Sequence, residues 1–472
     1  MFAPVWPAPA PASIVGQRLS RAAATEDIDF LLATYDDVHP DLYANVSRDS
    51  VRRLRDEFVR RLPDSVSRIE LWLGLGRIAT AFGDGHTTLS PPRDEIIQAV
   101  VRGDMLLPVS VVLDETGRLV VGTTPVGDTT LRRGDRLVSV NGRSADSLLE
   151  EIAGEMSGES PVWRERQAAS GFAGHLWLLG VRAPFAVRTR SASGVERGES
   201  FPVRPPDLAA AKAADRAAAA APRLGFRYQL LRNKVGYLDF FAMNADLSVF
   251  RAEIAKTFAR LAADSAAELV IDLRRNGGGN SVLGDALLNH FNDRPYRQES
   301  RKDWRMSRQY RAFLMSGVPG PVRWFRLAYL SSTGRRLLSA PEGGIVTFTD
   351  AVHPAGHAEP FFRGPVCILI GPGTFSSATD LAAAVKDFRL ATLIGEETGG
   401  RATSFGEVYP FELPHSRLEA GVSSASFVRP NGDASDRRGV LPDIEVRSTA
   451  ADVGAGRDPV LDRARECPAR PA

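Results

Sequence analysis

The sequence predicts an α/β core preceded by a small β domain and a helical N-terminal region. Three observations carry this. Two mostly apolar strands each run through a glycine-containing turn into an amphipathic helix; short strands fill residues 96–205; and an apolar period of helical spacing occupies residues 26–95.

The chain has 472 residues, 43% of them hydrophobic and 25% charged, as in an ordinary globular protein of two or three domains. Its net charge of +2 gives no basic footprint for nucleic acid. No apolar run reaches the roughly 18 residues that a membrane-crossing helix needs. The first residues are rich in proline and alanine, so 1–25 reads as a disordered end or the remnant of an export signal. Of the two cysteines, Cys367 lies in an apolar run and reads as core, and Cys467 lies near the end. Two cysteines exclude a disulfide framework and a cysteine zinc site, and they leave the redox compartment open.

Each region follows from its pattern. In the helical region Phe30, Leu31 and Tyr35, then Leu71, Leu75 and Ile78, recur at helical spacing. That pattern ends in the turn-rich segment Phe82-Gly83-Asp84-Gly85-His86-Thr87. In the β domain, strands are expected at Leu107–Leu113, Leu119–Val121, Leu137–Val140 and Phe185–Thr189, with an Asn141-Gly142 turn. Residues 206–224 are dominated by alanine and charge and suit a linker helix or a hinge. The core is expected over 225–450, with a long insertion at 296–363 that reads as a lid or substrate wall, and 451–472 as a tail.

Two strand ends in the core concentrate the chemistry, since sites in such sheets gather at the carboxyl ends of strands. The strand Leu269–Leu273 ends in Arg274-Arg275-Asn276-Gly277-Gly278-Gly279. Glycines there let a reacting group approach backbone N–H groups. The strand Val366–Ile370 leads through Thr374-Phe375 to Ser376-Ser377 at the start of a helix. A hydroxyl at that point, next to helical N–H groups, suits a nucleophile with an oxyanion hole. The competing readings are an N-cap for the serine and a tight turn for the glycines. A nucleotide loop is disfavoured, because neither G-x-G-x-x-G nor a Gly-Lys-Ser/Thr ending is present. No H-E-x-x-H occurs, and the histidines form no ligand set, so neither a metal nor a cofactor is expected.

Taken in order, these segments resemble the C-terminal processing (tail-specific) serine protease superfamily. They are most similar to the branch of the tricorn core protease and the interphotoreceptor retinoid-binding protein repeats. The resemblance rests on Gly83–Thr87, the Gly134-Asp135…Val140-Asn141-Gly142 run, Ile271-Asp272-Leu273-Arg274 with its glycines, Thr374–Ala378, Ile394–Gly400, and Gly439-Val440-Leu441-Pro442-Asp443. It implies a ClpP/crotonase-like core, a PDZ-like domain at 96–205 and a peptide or protein substrate, and it points to a periplasmic or secreted location. It places the nucleophile at Ser376, since the acidic residue the family carries eleven positions on is then Asp387.

In the lysine branch the base lies 25 positions after the serine, where this chain has Arg401. A guanidinium stays protonated and cannot serve as a base. The histidine branch instead implies His86 as general base. It gives Asp436 as its orienter, with Asp433 and Asp443 as competitors and Asp84 as a turn former. Gly278 and Ser377 N–H groups are the expected oxyanion donors, and Arg401 is expected to bind substrate. A catalytically silent protein for apolar ligands or peptides and a small-ester hydrolase are the rival functions. The sequence leaves the oligomeric state open.

Overall fold

The computed structural model describes residues 14–124, 129–203, 224–316 and 331–468. The first thirteen residues and the alanine-rich stretch Leu208–Ala221 lie outside them, as does part of the insertion.

The N-terminal region comprises β1 (Arg18–Ser20), α1 (Arg21–Val38), α2 (Arg48–Arg61), β2 (Ser65–Ser67), α3 (Arg68–Thr80), β3 (Thr88–Leu89) and α4 (Arg93–Arg102). Serine side chains start three of these helices. Ser20, Ser47 and Ser67 accept backbone N–H bonds in the first turns, and Glu70 completes a capping box with Ser67. The first helix therefore begins at Arg21, ahead of residue 26, because the cap and not the apolar period sets its start.

The β domain comprises β4 (Ser110–Leu113), β5 (Leu119–Thr123), β6 (Arg136–Val140), β7 (Arg143–Ser144), α5 (Ala145–Ala153), α6 (Pro161–Ser170), α7 (Phe172–Leu178), β8 (Phe185–Arg190) and β9 (Glu196–Phe201). Its sheet runs β4-β5-β6-β8-β9, with β7 folded back on β6. Asn141 and Gly142 both take positive φ, 49° and 77°, the condition for the tight hairpin that joins β6 to β7.

The remainder comprises β10 (Phe226–Leu230), β11 (Val235–Phe240), α8 (Leu247–Ala263), β12 (Glu268–Asp272), α9 (Val282–Leu288), β13 (Arg301–Met306), α10 (Arg308–Ser316), α11 (Ser332–Ser339), β14 (Gly344–Thr349), β15 (Val366–Ile370), α12 (Ser377–Phe388), β16 (Thr392–Gly395), β17 (Ser404–Glu412), β18 (Glu419–Val428), β19 (Ile444–Glu445), α13 (Ala450–Ala455) and α14 (Pro459–Ala464). Six strands form the central sheet in the order β10-β11-β12-β15-β16-β19. Only β10–β11 is antiparallel; the other pairs are parallel. Every residue of β15 is buried, as expected where both sheet faces are covered. One face packs on α8, α9 and α12 through Phe250, Ile254, Leu287, Leu381 and Val385.

The insertion is more than a lid. Its strands β13 and β14 extend a second sheet, β14-β13-β18-β17, to which β3 adds on β18. This sheet shares a core with the N-terminal helices, Tyr35, Trp72 and Phe82 meeting Phe411, Leu418 and Val422. The N-terminal region is thereby fastened to the core, and its final turn reaches the end of β15.

The cysteines correct the sequence reading. Cys367 in β15 and Cys467, just beyond α14, are joined in a disulfide across 100 residues. The bond holds α14 on the second face of the central sheet, where Val460 and Ala464 meet Val270, Leu369 and Ile394. The residues beyond 450 thus reach the core through α14 and Cys467, while α13 buries none of its own. Their short helices carry too weak an apolar period to announce this. Cys467→Ser is expected to lower stability by about 2–5 kcal/mol, because so long a closed loop restricts the unfolded chain. The drop would be read as a lower Tm, reproduced in the wild type, but not deepened in the variant, by a reducing agent.

Candidate active site

Ser376 occupies the turn between β15 and α12 with φ 52° and ψ −133°, a backbone state that costs an L-residue about 1–3 kcal/mol. Its side chain makes no capping bond to the helix. The N-cap reading therefore fails, and the hydroxyl is half-buried and turned elsewhere. Neighbouring bonds hold the turn. Phe375 N–H donates to Asn276 O at 3.0 Å, and Thr374 Oγ1 donates to Leu273 O at 2.9 Å. Ser377 Oγ donates to Gly279 O at 2.7 Å, so the second serine stitches the two strand-end loops together. Gly278 presses against the turn at φ 91°, and a Cβ there would lie 2.7 Å from Ser376 Cβ. Only glycine fits.

His86 Nε2 lies 3.0 Å from Ser376 Oγ, joining residues 290 positions apart. The ring stacks on Phe375 at 4.8 Å between centroids, and Phe375 stacks on Trp163 of α6 at 4.0 Å. The stack passes so close to Gly85 that a Cβ there would come within 2.5 Å of the Phe375 ring. Gly85→Ala is expected to displace His86 and lower kcat by about 100-fold, the loss that a misplacement near 1 Å brings. Steady-state kinetics of the folded variant checks this.

Asp84 shapes the histidine turn from inside. It is only 1% exposed. Its Oδ1 accepts His86 N–H at 2.9 Å, and its Oδ2 accepts the hydroxyls of Thr87 at 2.6 Å and Ser423 at 2.7 Å and faces His39 Nε2 at 3.2 Å. Burial by itself would raise its pKa. The hydrogen bond and charge of His39, the charge of His86 and the Ser423 hydroxyl hold it well below the usual carboxylate range instead. Asp84 Oδ1 stands 3.9 Å from His86 Nδ1, too far for a hydrogen bond but close enough to act by its charge. Burial lowers the pKa of His86, against the opposing pull of Asp84 and the Phe405 carbonyl.

A cleft of about 320 Å³ opens beside this turn. Gly83, Glu159, Arg401, Phe405, Phe427 and Arg437 line it, along with Arg301, Asp303 and Ile345 from the insertion. The insertion thus supplies one wall.

Residues 234–446 match the sequence profile of Peptidase family S41. They form a peptidase family S41 domain. The S41 domain carries Ser376, while His86 and Trp163 come from outside it. Among curated proteins, an uncharacterized protein of Chlamydia muridarum is 26% identical over 218 residues, 39% of this chain and 35% of that protein. A protein of Chlamydia trachomatis serovar D is 25% identical over 232 residues, 42% of this chain and 37% of that one. The matches span about a third of the length of these relatives. Among solved structures, mature CPAF complexed with lactacystin superposes with a TM-score of 0.65 at 19% identity, over 94% of this chain and 98% of that one. Mature CPAF alone gives 0.64 at 19%, over 94% and 97%. The S41 domain and its surrounding regions share that fold. Among the described residues, no helix is long and apolar enough to cross a membrane.

Two expectations for residues of the S41 domain change, those for Asp436 and Gly278. Asp436 is not beside His86; its carboxylate pairs with Arg429, which also holds Asp387 at the end of α12. That partly buried arginine claims both acids. Of the competitors, Asp433 closes its own turn onto Ser435, and Asp443 binds Lys386 and Leu393 N–H. Gly278 N–H donates to Asn276 Oδ1 at 2.9 Å, so in this state it is committed within its own turn and not presented to an oxyanion. Arg401 is at the cleft, as a substrate-binding residue would be, but its Nη2 already donates to Glu159 O at 2.8 Å.

Sequence reading missed Glu159, His39, Ser423 and Trp163. All come from segments distant in sequence, and none has a local pattern. Asp84 had one: an aspartate two positions before the histidine is spaced to accept that histidine's own N–H. Asp84, His86 and Glu159 each offer a ligand atom within 4.8 Å of the others. The 3.9 Å between Asp84 and His86 exceeds the ~3.4 Å ligand–ligand edge that ~2.1 Å bonds give around a tetrahedral zinc ion, so the trio as placed does not fit that metal.

Proposed function

We propose that the chain is a serine endopeptidase in which Ser376 attacks a peptide carbonyl and His86 is the general base. The 3.0 Å contact from His86 Nε2 to Ser376 Oγ carries the reading, because it is the hydrogen bond through which the serine proton must leave. As Ser376 Oγ bonds to the carbonyl carbon, its proton passes to His86 Nε2. The same proton then goes to the departing amine as the C–N bond breaks, leaving an acyl-enzyme on Ser376. Water, deprotonated by His86, hydrolyses the ester and restores the serine. In this reading Ser377 N–H, at the start of α12, meets the developing oxyanion, with the positive end of the helix behind it. Gly278 N–H joins only if its peptide leaves Asn276. The buried charge of Asp84 favours the imidazolium that forms during both transfers.

The substrate is a peptide or protein lying along the cleft lined by Arg401 and Arg437. The β domain at 96–205 is PDZ-like in this reading. The disulfide between Cys367 and Cys467 supports an oxidising compartment, periplasmic or extracellular. A fluorophosphonate probe tests the function: it should label the wild type at Ser376 and leave Ser376→Ala unlabelled. Absence of labelling in the folded wild type would favour the silent binding protein.

A further inference from the structure

We infer that Glu159, delivered by the β domain just ahead of α6, is a positioning residue for His86 and fills the place that Asp436 leaves vacant. The inference rests on the serine-hydrolase reading above and goes beyond it by assigning the partner of the far ring nitrogen.

A general-base histidine needs a partner at the nitrogen that does not face the serine. The partner fixes the tautomer and steadies the imidazolium. Here His86 Nδ1 is buried and makes no side-chain hydrogen bond, and the pull of the Phe405 carbonyl on the ring comes from the backbone and brings no charge to steady an imidazolium. Asp84 cannot supply one at 3.9 Å, and its Oδ2 is engaged by Thr87, Ser423 and His39. The second orphan nearby is Glu159 Oε1, also buried and unbonded. Asp84, His86 and Glu159 each offer a ligand atom within 4.8 Å of the others, so the two unsatisfied buried polar atoms belong to one cluster and are compatible partners. A change of side-chain rotamer at Glu159, or one bridging water, would join them.

The carboxyl is well held for this task. Glu159 is 7% exposed, and its Oε2 accepts Arg401 N–H at 2.6 Å. Its own carbonyl accepts from Arg401 Nη2. The next residue, Ser160, donates to Gly399 O at 3.1 Å, and Trp163 closes on Phe375. The segment 158–163 is therefore a plug that fits the β domain to the nucleophile turn.

The groups that face Glu159 are Asp84 and His86 of the histidine turn, Arg401 after β16 and Asp380 of α12, with Asp41, Arg301, Asp303 and Arg437 around the cleft. Burial, with the charges of Asp84 and Asp380, pushes the Glu159 pKa up to about 8, against the pull of Arg401. At neutral pH the side chain is thus an uncharged acid whose carbonyl oxygen can accept from Nδ1–H. Above that value it becomes a carboxylate and stabilises the imidazolium more strongly.

The test compares wild type, Glu159→Gln and Glu159→Ala on a fluorogenic peptide from pH 5 to 10, with fluorophosphonate labelling and circular dichroism alongside. In the wild type kcat/KM should rise through His86 and then rise again near pH 8. Glu159→Gln keeps the shape but cannot ionise, so it should retain KM and lose only the second rise. Glu159→Ala should lower kcat by about 10–100-fold, the loss typical when a partner that orients a histidine is removed, with KM changed less than about twofold. A folded Glu159→Gln that keeps both rises, or a folded Glu159→Ala with wild-type kcat, overturns the inference and leaves the Ser376 mechanism standing. A folded wild type that neither labels nor turns over overturns both.

Discussion

Ser376→Ala is expected to lower kcat by about 10⁴- to 10⁶-fold while leaving the fold and its thermal transition in place. The hydroxyl does not cap α12, so removing it takes nothing from the helix. The strained backbone at φ 52° also remains, because alanine tolerates it no better or worse than serine. Ser377→Ala should behave in the opposite way. Its hydroxyl holds Gly279 O and its N–H survives the substitution. The expected result is a modest loss of stability, about 1 kcal/mol for one hydrogen bond, with most activity kept. Rates from a fluorogenic peptide and Tm values on both variants decide it. A dead Ser377→Ala beside an active Ser376→Ala would move the nucleophile by one residue.

His86→Ala should be nearly as damaging, lowering acylation by several orders of magnitude, since nothing else within reach of Ser376 Oγ accepts a proton among the described residues. The wild-type acid limb gives the sharper measurement. Imidazole must be neutral to act, so activity is present above the His86 pKa and lost as pH falls through it. Because burial lowers that pKa, the limb should lie below the 6.5 of a free imidazole. Asp84→Asn shifts the same limb further down by removing the charge that opposes burial. It also breaks a fully buried network with His39, Thr87 and Ser423, so a stability loss accompanies the kinetic one. A pH–rate profile with wild type and Asp84→Asn separates these effects. A limb above 6.5 in the wild type would contradict the dominance of burial over the Asp84 charge, and no shift in the variant would contradict the placement of Asp84 behind His86.

What the sequence made legible follows from how local each signal is. The units around Leu269–Gly279 and Val366–Asp387 could be read because a buried parallel strand, a turn and an amphipathic helix are contiguous and carry their own periods. Ser376 and His86 could be paired only through the ordered set of segments that resembles a known superfamily, since no spacing rule connects residues 290 apart. The second sheet was not visible. Its strand β18 is buried over six successive residues with small side chains, Ala420 to Ala425, and so shows no alternation. The pairing of Cys367 with Cys467 was hidden by the same distance problem. Asp436 was misplaced because sequence order does not reveal that Arg429 captures it.

The 290-residue gap between His86 and Ser376, the proposed base and nucleophile, also bears on how the protein comes into being. During synthesis the histidine segment leaves the ribosome long before the serine, and the helix fastened by Cys467 emerges later still. No partly made chain holds both halves of the reacting pair in place. A fragment trimmed to the family-matching region would carry Ser376 without His86, the proposed base, and the complementary piece would carry His86 with no serine to activate. Mixing two such inert fragments would then serve as an assay of assembly, in which hydrolysis appears only when the pieces have found one another.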